Sequence, residues 1–191
     1  MKHLTIPGVL FVAAATALSG CAKLDGKVTV GGTLNSKGGA GNAVLTANAS
    51  RCDDEVKGQA TYKDQTALDW QNVGGVAFNA EVYDAGFCSD QPVHPDHIGD
   101  STKHCRQDVC TGGMYQADFT YKSTNSKTPG EGKGFICMID TGNGVSSGFG
   151  ATGLLKTMQI ESGPYQGYSN AGTMSGNVQI SACPSDKSNK S

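Results

Sequence analysis

The chain has 191 residues, 27 of them glycine, with 15 basic and 17 acidic side chains and a formal charge of −2. That mildly acidic balance, with no cluster of Lys and Arg, argues against nucleic acid as a partner, because phosphate recognition needs a basic patch. The length suits one domain burying about 70% of its unfolded surface, and the many glycines with few charges point to short elements joined by turns.

Met1-Lys2-His3 precedes an apolar run over residues 4–18, broken only by Thr5, Pro7, Gly8 and Thr16. A spanning helix takes about 20 apolar residues and a signal-peptide core roughly 7 to 15, so this run reads as an export signal. It ends in Leu18-Ser19-Gly20-Cys21, which resembles the lipobox of bacterial lipoproteins. The resemblance implies cleavage after Gly20 and lipidation of the Cys21 thiol. Each buried methylene of the acyl chains then contributes about 0.8 kcal/mol to membrane anchoring. Ala22, rather than Asp, follows the cysteine, which by the same resemblance implies the outer membrane if the source is Gram-negative. The expected organisation is a signal peptide over 1–20, a lipidated tether over 21–26, a β-rich domain over 27–183 and a flexible tail over 184–191. Loss of Lys2 with the signal takes the formal charge to −3.

Within the domain, strands are expected over 28–34, 43–48 and 59–62, with the glycine-rich stretch 36–42 mobile. Asn48-Ala49-Ser50 matches a glycosylation acceptor, without meaning for a bacterial lipoprotein. Asp53-Asp54-Glu55 reads as a solvated turn, not an acid–base pair, because neighbours in a strand do not share a face. Residues 66–73, around Trp70, fit either a loop or a short helix. Residues 76–83 alternate with Val76, Phe78, Ala80 and Val82 inward. Residues 115–121 do the same with Tyr115, Ala117, Phe119 and Tyr121. Phe135-Ile136-Cys137-Met138-Ile139 is an unbroken apolar run, the pattern of a strand buried on both faces. Asn143-Gly144 marks a turn, and weaker strands follow at 154–160 and 177–182. About eight strands predict an all-β fold, an antiparallel sandwich or barrel-like domain.

The segments GKGFICMIDTGNG and IESGPYQGYSNAGTMSGNVQI are similar to a β-rich module of secreted and surface proteins, mostly without assigned activity. The acidic residues such modules place between these blocks are replaced by VSSGFGATG, so the resemblance bears on the fold alone.

With Cys21 assigned to lipid, six cysteines remain: Cys52, Cys88, Cys105, Cys110, Cys137 and Cys183. An even number outside the cytoplasm predicts a disulfide framework. Cys88, Cys105 and Cys110 form an odd-numbered local group, so full pairing requires at least one bridge from it to Cys52, Cys137 or Cys183. Which of the connectivities is adopted is left open.

Gly144-Val-Ser-Ser-Gly148 matches the Gly-x-Ser-x-Gly pattern of a hydrolase elbow, but such an elbow needs a later histidine and none follows His104. Gly148-Phe-Gly-Ala-Thr-Gly153 matches Gly-x-Gly-x-x-Gly without the βαβ surroundings that motif requires. The stretch VHPDHIGDSTKHCRQDVC holds His94, His97 and His104. With Asp96 or Asp100 these imidazoles could form a Zn²⁺ or Cu²⁺ set. The plainer expectation is a disulfide-tethered polar loop.

The chain is therefore expected to be a non-enzymatic binding or structural module at the cell envelope, held to the membrane by its N-terminal lipid, with a protein or glycan ligand. The alternatives are a metal-binding protein using the histidine loop and a carboxylate-based hydrolase.

Overall fold

The computed structural model describes residues 21–94, 96, 100–106, 108–142 and 151–184. Nine strands follow in chain order: β1 (Cys21–Leu24), β2 (Gly26–Asn35), β3 (Asn42–Cys52), β4 (Glu55–Asp64), β5 (Val76–Pro92), β6 (Tyr115–Ser123), β7 (Glu131–Asp140), β8 (Ala151–Ile160) and β9 (Ser169–Ser181). Every pairing is antiparallel, and β5 pairs with both β4 and β6, so β2 to β9 close into an eight-stranded barrel. Of the two all-β architectures expected, the barrel is the one adopted. Closure leaves these strands no open edge.

Period-two patterning drives the arrangement. In β3, Ala43, Leu45, Ala47 and Ala49 face the core, while Asn42, Val44, Thr46 and Asn48 face outward. Barrels of eight strands enclose a space that side chains can fill. Here Leu45, Phe78, Phe119, Ile136, Met138, Leu155 and Met158 fill it as one cluster. Gly134 lets β7 approach: a Cβ there would lie 2.6 Å from the Gln159 carbonyl and 2.9 Å from the Phe119 ring.

Gly26, the β3–β4 turn and Cys183 lie at one end of the barrel, called here the N-terminal end. At the β3–β4 turn, Asp53 and Asp54 both take positive φ (53° and 62°) and Cys52 pairs with Glu55. This is the two-residue hairpin that matches strand twist. The opposite end is closed by a polar cluster around Asp64, which is wholly buried. Asp64 accepts hydrogen bonds from Ser36 Oγ (2.5 Å), Lys37 N (2.9 Å), Tyr168 OH (2.7 Å) and Thr66 N (3.3 Å). The glycine-rich stretch expected to be mobile is therefore tied to the barrel through Ser36 and Lys37. Trp70 sits in the 3-10 turn Leu68–Val73 and packs edge-on against Tyr165.

Two further features depart from the sequence expectation. β5 continues nine residues past Tyr83 to Pro92, after a register shift between Val82 and Asp84. The residues at 21–24, expected as part of a tether, form β1 and pair with β5 as Cys21↔Pro92, Lys23↔Cys88 and Leu24↔Phe87.

Candidate functional site

Three disulfides join Cys52 to Cys183, Cys88 to Cys105 and Cys110 to Cys137. The last links the 88–110 group to the body of the barrel, the bridge that parity demands. Cys21 is the cysteine left outside a disulfide. The two bridges nearest each other hold the chain between β5 and β6 against the outer face of β5, β6 and β7. Cys88, Cys105, Cys110, Phe135 and Cys137 form a second, smaller apolar cluster there, with Cys21 and Val109 packed against it. The apolar run at 135–139 predicts a strand covered on both faces, and Phe135 to Met138 are buried in that way while Ile139 is half-buried. Ile136 and Met138 face the barrel core, while Phe135 and Cys137 lie under this outer layer.

The histidines are distributed through that layer. His94 is exposed, and its Nδ1 accepts a hydrogen bond from the Asp96 amide at 3.3 Å. His104 forms a β-bridge with Ala22. Asp100, considered above as a ligand, caps the Ser101–Lys103 turn by accepting from Thr102 N (2.9 Å) and Oγ1 (2.7 Å). His97 lies outside the described residues. Among the described residues no three His, Cys, Asp or Glu side chains gather in a metal-binding group.

Beneath the layer, outward-facing side chains of β5 and β6 carry buried charge. Lys23 Nζ lies 2.5 Å from Asp84 and 3.8 Å from Asp118. Arg51 reaches Asp84 at 3.4 Å, Asp54 at 3.0 Å and the Thr102 carbonyl at 2.6 Å. Arg106 joins Asp118 (2.7 Å) to Glu161 (2.5 Å) and lies 4.0 Å over the Phe135 ring. Burial pushes the Asp84 carboxyl above its usual range, against the opposing pull of Lys23 and Arg51. Every charge named here has an oppositely charged neighbour, as buried ions require. These contacts bind the outer layer to the barrel.

The open concavity lies elsewhere, on the outer face of β3 to β7. Two cross-strand rows line it. One runs Thr46, Thr61, Asn79, Lys122, Glu131, and the other Asn48, Gln59, Glu81, Thr120, Lys133, each in direct register from strand to strand. At about 4.8 Å between strands each row spans roughly 19 Å. The groove they form has a volume of about 820 Å³, and Ser162 adds a hydroxyl at its β7 edge. Beyond Glu81 the pairing of β4 with β5 stops. Tyr83, 50% exposed, stands on β5 at that divergence. A second concavity of about 510 Å³ is lined by Tyr83 together with Arg51, Asp54, Val56, Asp84, Thr102 and Lys103. Lys133 Nζ lies 5.9 Å from the centre of the Tyr83 ring.

Sequence reasoning did not single out this groove, although its signal is present in the outward alternation of Thr46 and Asn48 with Gln59 and Thr61. What lay beyond reach was which strands stand side by side. The Gly-x-Ser-x-Gly stretch and the Asn143-Gly144 turn lie outside the described residues, and Gly153 lies in β8. No protein-family model, curated protein or solved structure matches the chain.

Proposed function

We propose that this protein is an exported lipoprotein of the cell envelope that acts as a non-enzymatic binding module, holding a glycan chain in the groove across β3 to β7. Export and anchoring are supported by the lipobox residues Leu18 to Cys21 and by the assignment of all six other cysteines to disulfides, bonds that persist in oxidising compartments. Cys21 is left for the lipid.

The observation that carries the ligand class is the chemistry of the groove. Protein partners are usually met by a core enriched in aromatic, Met and Arg side chains, and drug-sized ligands by mostly apolar pockets. This groove instead presents amides and hydroxyls from Thr46, Asn48, Gln59, Thr61, Asn79 and Thr120 among the charges of Glu81, Lys122, Glu131 and Lys133. The exposed ring of Tyr83, which lines the neighbouring concavity, stands two residues along β5 from Glu81 and 5.9 Å from Lys133 Nζ. Hydroxyl-rich sugars are bound by such a combination: side-chain amides both donate and accept, and an aromatic face covers the apolar face of a pyranose. The width of the rows accommodates several sugar units, so an oligosaccharide or polysaccharide fits better than a monosaccharide.

The mature domain with Cys21→Ser, applied to an array of bacterial polysaccharides and to purified peptidoglycan sacculi, tests this. Binding should be retained by the parent and fall at least tenfold in Tyr83→Ala and in Gln59→Ala/Asn79→Ala. Failure to retain any glycan, or retention indifferent to these changes, overturns the ligand assignment. Loss of acyl labelling and of membrane fractionation in full-length Cys21→Ser tests the anchor separately.

A further inference from the structure

We infer that the anchor has no slack and that the barrel lies directly against the bilayer, with the end of β5 at Gln91 and Pro92 in the lipid headgroups. The inference rests on the lipid-anchor reading of Cys21 and adds to it a pose and a contact surface. A free tether of six residues would let the domain stand off by about 13 Å, from roughly 5 to 6 Å times the square root of its length. The structure leaves no such length. β1 begins at Cys21 itself and is paired on both edges. On one edge lie Pro92, Cys88 and Phe87 of β5. On the other, the Cys21 carbonyl accepts from Cys105 N at 3.0 Å and Ala22 bridges His104.

Two more contacts lock the strand. Lys23 is buried on Asp84, and Gly86 gives it room, since a Cβ there would lie 2.3 Å from Lys23 Cγ. The residues bearing this lock, Asp84, Cys88 and Cys105, belong to the barrel wall or are bridged to it. A lipid on Cys21 is thus fixed relative to the whole domain. The bilayer's polar zone is only about 5 to 7 Å deep on each side, comparable to one strand spacing of about 4.8 Å. Residues one strand away from Cys21 must therefore lie within that zone.

The lone tryptophan makes the pose measurable. Trp70 precedes β5, whereas Cys21 pairs with its last residue; the 17 residues of β5 amount to roughly 50 Å of strand. Full-length acylated protein is reconstituted into phosphatidylethanolamine/phosphatidylglycerol vesicles containing a lipid with a nitroxide on its headgroup. Trp70 in the unaltered protein should keep its emission. The exposed position in Gln91→Trp should add emission that the nitroxide quenches at least threefold more strongly than that of Trp70. Insertion of ten Gly and Ser residues between Cys21 and Ala22 should abolish the difference while the protein still floats with the vesicles. If Gln91→Trp does not fold, His94→Trp, two positions past Pro92, replaces it. Quenching no stronger than that of Trp70 in vesicle-bound, acyl-labelled protein overturns the pose and leaves the anchor standing. Failure to take up acyl label overturns both.

Discussion

Lys23 and Asp84 form an ion pair, Nζ to Oδ2 at 2.5 Å, in which the lysine side chain is wholly buried. The pair joins the first strand of the domain to the outer face of the barrel wall, 61 residues away in the chain. A charge left alone in such a place costs about 3 to 5 kcal/mol, whereas removing both charges together is often neutral. Lys23→Met should therefore destabilise the fold by about 3 kcal/mol. In Lys23→Met/Asp84→Asn the loss should be smaller than in Lys23→Met alone. The remaining deficit comes from Arg51, which loses its 3.4 Å contact with Asp84. Urea unfolding midpoints of the two variants check the non-additivity; a double variant worse than the single one contradicts it.

The three disulfides should differ in weight. Cross-linking stabilises chiefly by restricting the unfolded chain, and more so for longer loops. The Cys52–Cys183 bridge closes a separation of 131 residues, against 17 for Cys88–Cys105 and 27 for Cys110–Cys137. Its removal in Cys52→Ser/Cys183→Ser should cost about 4 to 5 kcal/mol, and removal of either shorter bridge about 3 kcal/mol. Calorimetric melting of the three double variants gives the order. A larger loss for either short bridge would show that it contributes through packing of the outer layer, where Cys88, Cys105, Cys110 and Cys137 are themselves buried.

Asp64 should tolerate no neutral substitute of its own shape. Its Oδ1 accepts from Ser36 Oγ and Thr66 N, and its Oδ2 from Lys37 N and Tyr168 OH. Whichever way the amide of Asp64→Asn turns, its NH₂ meets a backbone N–H that already needs an acceptor. The cost of the unsatisfied groups is about 1 to 3 kcal/mol. Tyr168→Phe removes one donor to Asp64 and also a partner of the buried Tyr62 hydroxyl at 2.6 Å, so it should cost about 1 to 3 kcal/mol. Hydrogen exchange localises the effect: in Asp64→Asn one of the amides of Lys37 and Thr66, whichever faces the NH₂, should lose protection, and in Tyr168→Phe both should keep it.

Strands whose alternation is uninterrupted were legible in the sequence. Tyr115, Ala117, Phe119 and Tyr121 mark the inner face of β6, and the five apolar residues at 135–139 announce a strand covered twice. Legibility failed where parity changes. The register shift between Val82 and Asp84 breaks the period of β5, so its second half, with Gly86, Cys88, Ser89 and Asp90, reads as loop. The first half of β9 is obscured for another reason: its alternation is unbroken, but Gly172 and Gly176 share the face of the buried Asn170, Met174 and Val178, so that face carries few apolar side chains. The need for a bridge out of the 88–110 group followed from counting cysteines, but the identity of each pair depends on which strands lie adjacent. The groove has the same origin: single strands reveal Thr and Asn on an outer face, and only the pairing order aligns them into rows.

Alkaline pH should unfold this barrel steeply, because its buried tyrosines resist ionisation. Burial pushes the hydroxyls of Tyr62, Tyr115 and Tyr168 well above the ordinary tyrosine value, and for Tyr168 the neighbouring Tyr62 and Asp64 add to the effect. The sign follows from proton counting. Above about pH 10 the unfolded chain releases these protons while the folded chain keeps them, so the folded state binds more and stability falls as pH rises. The stabilising contribution is complete below the unfolded value and is lost through the interval above it. Each such tyrosine contributes a slope of about 1.4 kcal/mol per pH unit, so three give about 4 kcal/mol per unit. Urea midpoints measured between pH 8 and pH 11.5 should be flat to about 9.5 and then drop sharply, with tyrosinate absorbance rising only as the fold is lost. In Tyr62→Phe the slope should fall by about one third. Absorbance that rises well before unfolding would mean that these hydroxyls reach solvent in the folded barrel.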